Sequence, residues 1–99
     1  MKFYHATTEE KMEQIFIDGE IRSGWDGCVY LCKKAVDACK FLAIRGFKKM
    51  VVVEVELEEN EVNESNDHNE RFFQCKAYTY NGNITVTGKE KTWEYTFDI

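Results

Sequence analysis

The chain has 99 residues, 43% apolar and 31% charged, which fits one domain and excludes wholesale disorder. Eighteen acidic against thirteen basic side chains give a net charge of −5, which excludes a partner held mainly by phosphate neutralisation. No stretch approaches the ~20 apolar residues of a membrane helix, and the opening Met1-Lys2-Phe3-Tyr4-His5 lacks a signal peptide's apolar core, so no membrane partner and a cytoplasmic setting are expected.

In chain order, Phe3-Tyr4-His5-Ala6 reads as a strand. Thr7 and Glu10 have the spacing of a capping box, in which each side chain satisfies an orphan backbone N–H. Met12, Ile15 and Phe16 share one face of a helix over 8–18, stopped by Gly19. Glu20-Ile21-Arg22 is a brief extended piece, residues 23–27 are a turn-rich loop, and Cys28-Val29-Tyr30-Leu31 is a second strand. A second helix is expected over 33–45. Val36, Cys39 and Ala43 form its apolar stripe, flanked by Ala35 and Leu42, and Gly46 ends it.

Residues 50–57 alternate late in their run, with Val53, Val55 and Leu57 inward and Glu54 and Glu56 outward, the pattern of a half-buried strand. Residues 58–69 are polar and read as a loop. Three further strands are expected over 72–80, 84–87 and 92–97, with Asn81-Gly82-Asn83 as a hairpin turn and another turn at Gly88. These elements make one α+β domain over 1–99, helices early and antiparallel strands late.

Cys28, Cys32, Cys39 and Cys75 have the spacing C-x3-C-x6-C before a distant fourth, with no C-x-x-C knuckle and no His pair nearby; no metal site is expected, and the thiols read as free. Residues 33–49 carry six basic side chains against Asp37 alone, and residues 54–70 carry eight carboxylates with no Lys or Arg. Both blocks read as solvated faces.

One combination goes beyond periodicity. His5-Ala6-Thr7 ends a strand, a helix and Gly19 follow, Gly27-Cys28-Val29-Tyr30 forms the next strand, and Phe41 sits on the helix after it. Over about residues 2–57 this order resembles the NAD-dependent ADP-ribosyltransferases, in the branch of diphtheria toxin and the poly(ADP-ribose) polymerases. The resemblance implies two early helices packed on a mixed, mostly antiparallel split sheet. It implies NAD as substrate, with His5 bonding a ribose hydroxyl, the Ala6 backbone pairing with the nicotinamide amide, and Tyr30 and Phe41 packing on the two sides of the ring. Thr7 belongs to the same motif, and Ala38 stands where many relatives place a hydroxyl for the amide. Arg22 is a candidate for a phosphate, since a guanidinium presents a planar fork of donors.

The family's last element departs. Its small bacterial and phage members carry Glu-Tyr-x-x-x-Gly-x-Ile, and this chain has Ala77-Tyr78-Thr79-Tyr80-Asn81-Gly82-Asn83-Ile84. Ala77 thus holds the position of the catalytic glutamate, which would stabilise the oxocarbenium-like state of glycosidic cleavage. Glu70 is seven residues away from that position. The implied function is a small stand-alone mono-ADP-ribosyltransferase, of the kind a phage or bacterial effector uses, inactivated at Ala77. Its macromolecular acceptor would be a protein more than a nucleic acid, given the acidic segment. The alternative is a non-catalytic nucleotide-binding or partner-inhibiting protein on the same fold. An RNA 2′-phosphotransferase is disfavoured, because Arg22, Arg45 and Arg71 are the only arginines.

Overall fold

The computed structural model describes residues 1–65 and 76–97. In chain order its elements are β1 (Lys2–Thr7), α1 (Glu9–Asp18), β2 (Glu20–Ile21), β3 (Cys28–Leu31), α2 (Ala35–Ala43) and β4 (Lys49–Glu56). A 3-10 turn (Glu59–Glu61) leads to β5 (Val62–Glu64), then β6 (Tyr78–Asn81), β7 (Ile84–Thr85) and β8 (Thr92–Thr96).

The strands form two three-stranded sheets, β1-β4-β8 and β3-β6-β5, and a two-stranded ladder, β2-β7. Every pairing among the described residues is antiparallel. Among the described residues the two larger sheets pair at one rung, where Tyr4 and Cys32 exchange N–H···O bonds of 2.8 and 2.9 Å. The outcome is a small α+β domain with two early helices on antiparallel sheets.

β4 organises the interior, because its β-branched residues suit a pleated surface and it is buried on both faces. Val51, Val53 and Val55, with Leu57 beyond the strand, join Phe3, Met12, Ile15, Val29 and Leu31 in the larger core. Met50 and Val52 meet Cys39 in a second core, against which Tyr4, Ala6, Leu42, Tyr95 and Phe97 pack. Each such buried side chain contributes about 1.5–3 kcal/mol through loss of apolar contact with water. The late alternation therefore holds for the half of β4 over the first core. Its opening half breaks the pattern because α2 covers the other face.

The helices differ from their sequence reading in register. Thr7 is drawn into the ladder opposite Val51 and buried, so the cap moves on by one residue. Thr8 is the N-cap, its Oγ1 accepting from the Lys11 N–H at 3.3 Å. Gly19 closes α1 in the left-handed region, φ 76°, and its N–H donates to the Ile15 carbonyl at 2.9 Å. In α2, Ala35, Cys39, Leu42 and Ala43 face the second core, spaced i, i+4, i+7 and i+8. That face rotates Val36 outward to 46% exposure, against its expected place in the stripe.

Two loop readings are corrected. Residues 62–64, taken with the polar segment as loop, form the edge strand β5 against Tyr78–Tyr80. An edge strand with a half-exposed surface carries little apolar signal. Asn81-Gly82-Asn83 is a turn with Gly82 at φ 93°, but it is no hairpin: β6 pairs with β3 and β5, and β7 with β2. The expected strand over 72–80 is described only from residue 76, and residues 72–75 lie outside the described residues.

Candidate functional site

Past the Tyr4–Cys32 rung, β1 and β3 part, and the His5 imidazole spans the gap: its Nδ1 lies 2.9 Å from the Tyr30 carbonyl oxygen. A carbonyl only accepts, so Nδ1 carries the proton, and in the neutral ring Nε2 keeps a lone pair. Burial lowers the His5 pKa below its ordinary 6.5, against an opposing effect of the Tyr30 carbonyl and with a smaller lowering from the Lys11 charge. His5 is therefore neutral at neutral pH.

A cavity of about 460 Å³ lies beside this bond. One wall is His5, Ala6, Tyr30, Leu31 and Cys32, from β1, β3 and the residue after it. The other wall comes from α2 and its exit, with Ala38, Phe41, Leu42, Ile44 and Arg45. Ala38, Phe41 and Leu42 follow i, i+3 and i+4 on one helical face, and Ile44 and Arg45 come from the turn that ends α2. The Arg45 guanidinium carbon lies 5.7 Å from the Phe47 ring centroid.

The Tyr30 phenol is fixed from the loop before β3. Its hydroxyl donates to Asp26 Oδ2 at 2.6 Å, and Asp26 Oδ1 accepts from the Cys28 N–H at 3.1 Å. The Tyr30 hydroxyl, and next the Cys28 amide, hold the Asp26 carboxyl below its usual range. The loop is braced by its neighbours: Gly82 N–H donates to the Gly27 carbonyl at 2.8 Å, and Ser23 N–H to Asn83 Oδ1 at 2.8 Å. The 81–83 turn thus buttresses the loop that sets Tyr30. The same loop holds Trp25 wholly exposed.

Five of the sequence-derived site residues, His5, Ala6, Tyr30, Ala38 and Phe41, line this one cavity. Thr7 is buried at the end of β1 and is not among the lining residues. Arg22 is exposed and pairs with Asp18 at 3.3 Å, away from the lining set. Ala77 is buried just before β6, its carbonyl accepting the Ser65 N–H at 2.8 Å; it too is absent from the lining. The register that sets Leu31 opposite Tyr78 carries Ala77 to the level of Cys32. Glu70 and Cys75 lie outside the described residues. Glu56 is exposed, pairing with the N-terminus at 2.7 Å, whereas Glu54 is largely covered and accepts from the Tyr4 hydroxyl at 3.2 Å.

Sequence reasoning missed Arg45 and Asp26. Arg45 had a signal, since in the helix expected over 33–45 it stands four residues after Phe41 and seven after Ala38. Asp26 had none, because its role depends on a loop shape that no periodicity encodes. A second cavity of about 580 Å³ lies between the end of β4 and residues 83–91, lined by Glu54, Glu56 and Glu90 as well as Lys89 and Lys91.

Among the described residues no group of three His, Cys, Asp or Glu side chains is placed to hold a metal ion, and no helix is long and apolar enough to cross a membrane. Cys28 and Cys39 are free thiols, Cys32 is buried, and burial pushes Cys39 up to about 11.

No family model matches this chain, and no curated protein does. Two solved structures of protein CC0527 from Caulobacter crescentus are similar to it. A double mutant of that protein has a TM-score of 0.68 at 13% identity, over 99% of this chain and 89% of that one. The other structure has a TM-score of 0.63 at 14% identity, over 100% and 88%. At these identities the likeness is one of fold: the chain shares its α+β architecture with CC0527.

Proposed function

We propose that this chain is an ADP-ribosyltransferase-type domain that takes NAD in the His5–Tyr30 cavity, with the catalytic carboxylate replaced at Ala77. The observation that carries the reading is the convergence of His5, Ala6, Tyr30, Ala38 and Phe41 on one opening from three separate elements. The Nε2 lone pair of neutral His5 is an acceptor for a ribose hydroxyl. Tyr30 and Phe41 supply aromatic surface for the nicotinamide ring, worth about 0.5–1.5 kcal/mol per aromatic pair beyond area burial. The Ala6 backbone serves the carboxamide, with no hydroxyl from Ala38 to assist.

Cleavage of the nicotinamide–ribose bond leaves a cationic sugar that needs a nearby negative charge. Ala77 supplies none, and removing one preorganised group of this kind costs on the order of 10²–10³ in rate. With a glutamate at 77 the domain passes ADP-ribose to a macromolecular acceptor, a basic protein rather than a nucleic acid. The acidic run beginning at Glu54 favours encounter with such a partner. A phage or bacterial effector is the setting such a small domain suits.

The second reading is a binding protein that keeps the cavity and does no chemistry. It is favoured by the lack of any carboxylate among the described residues that line the cavity. Titration calorimetry with NAD and a nicotinamide-release assay, on this chain and on Ala77→Glu, separate the two. Release that appears only in Ala77→Glu supports the transferase; tight binding with no release in either supports the binder. No NAD binding in either chain removes both.

A further inference from the structure

We propose that Arg45 forms an anion subsite at the rim of the His5–Tyr30 cavity, built to hold the phosphate of a nucleotide whose flat base lies against Tyr30 and Phe41. The inference rests on the reading of this cavity as a ligand site and assigns its charged end. Among the described residues that line the cavity, Arg45 bears the one formal charge at neutral pH; its neighbours are apolar apart from the neutral His5, the Tyr30 phenol and the Cys32 thiol.

The guanidinium is held yet open. Its central carbon lies 5.7 Å from the Phe47 ring centroid, within cation–π range, and the side chain is exposed. Other cations nearby are engaged: Arg22 pairs with Asp18, and Lys40 with Asp37 at 3.0 Å. No ion pair to a carboxylate is found for Arg45 among the described residues. At the end of α2 the amides of Ile44, Arg45, Gly46 and Phe47 take the carbonyls of Lys40, Leu42 and Ala43.

The wider field agrees in sign. Residues 33–49 carry six basic side chains against Asp37 alone, within a chain of net charge −5. A local positive region beside a low-dielectric cavity concentrates anionic ligands. A planar fork of donors matches phosphate oxygens in pairs, which a lysine at the same place does not.

The test is titration calorimetry on the full chain and on Arg45→Ala and Arg45→Lys, with NAD, ADP and nicotinamide riboside as probes. Arg45 is exposed, and an unchanged melting temperature checks that each variant folds. Arg45→Ala should weaken NAD and ADP by about 10- to 100-fold, the loss of one or two charge-assisted bonds, and leave nicotinamide riboside unchanged. Arg45→Lys should recover part of the loss. Unchanged NAD affinity in Arg45→Ala overturns the subsite and leaves the nicotinamide assignment standing. Equal weakening of NAD and nicotinamide riboside also overturns it, since Arg45 would then be only a piece of wall. ADP binding that depends on Arg45, with no binding of nicotinamide riboside, keeps the subsite and removes the nicotinamide assignment. Failure of all three probes to bind the unaltered chain overturns both.

Discussion

His5 does two jobs that pull in one direction. Its Nδ1–H bond to the Tyr30 carbonyl ties β1 to β3 where their ladder has stopped, and burial keeps the ring neutral with an acceptor at Nε2. The lowered pKa has a thermodynamic counterpart. Below 6.5 the unfolded chain binds a proton that the folded chain resists, so this group makes stability fall as pH drops below 6.5 toward the lower folded value. His5→Gln should flatten that fall between about pH 7 and pH 5, measured as the urea midpoint at each pH, because an amide has nothing to protonate there. If the slope is unchanged, carboxylates account for it and His5 is not the half-buried neutral group described. His5→Ala should also abolish NAD binding or sharply weaken it, with the fold retained. His5 and Tyr30 were candidates only through the resemblance their motifs carry; the bond between them was not legible, since it joins residues 25 positions apart across two sheets.

At the scale of elements, α1 is defined by its two ends. Thr8→Ala removes the side-chain acceptor from the Lys11 amide and should cost about 1 kcal/mol of stability in a denaturant titration. Val36→Lys on α2 should change stability by less than about 0.5 kcal/mol, because that position faces water. The reverse ranking would restore the sequence reading, in which Thr7 capped the helix and Val36 belonged to the buried stripe. Both misreadings have one cause. The apolar pattern gave each helix and its approximate limits, but the phase of a helix and the residue that caps it depend on where the neighbouring strand releases the chain. β1 holds Thr7 through its pairing with Val51, and the second core selects Ala35 and Cys39. The edge strand β5 was illegible for a different reason: its partners are in β6, and its own residues are mostly polar.

Across the whole molecule, β4 belongs to both cores, so its opening should require loss of the global fold. Native-state hydrogen exchange should find the Val51, Val52 and Val53 amides among the slowest, close to the global unfolding free energy. The two-residue β2-β7 ladder should exchange far faster, through local opening. Equal protection of the two would show one indivisible unit instead. The α+β class was readable from the order of helical and alternating segments. The pairing of β2 with β7 and of β3 with β6 was not, because partners from opposite halves of the chain leave no local trace in composition.

The Tyr4–Cys32 rung, the one pairing of the two larger sheets among the described residues, has a mechanical consequence. The rung and the His5–Tyr30 bond beside it are clamped by the larger core, in which Phe3 and Val53 of one sheet pack with Val29 and Leu31 of the other. Cutting the His5 link alone should therefore leave the two sheets joined through that shared interior.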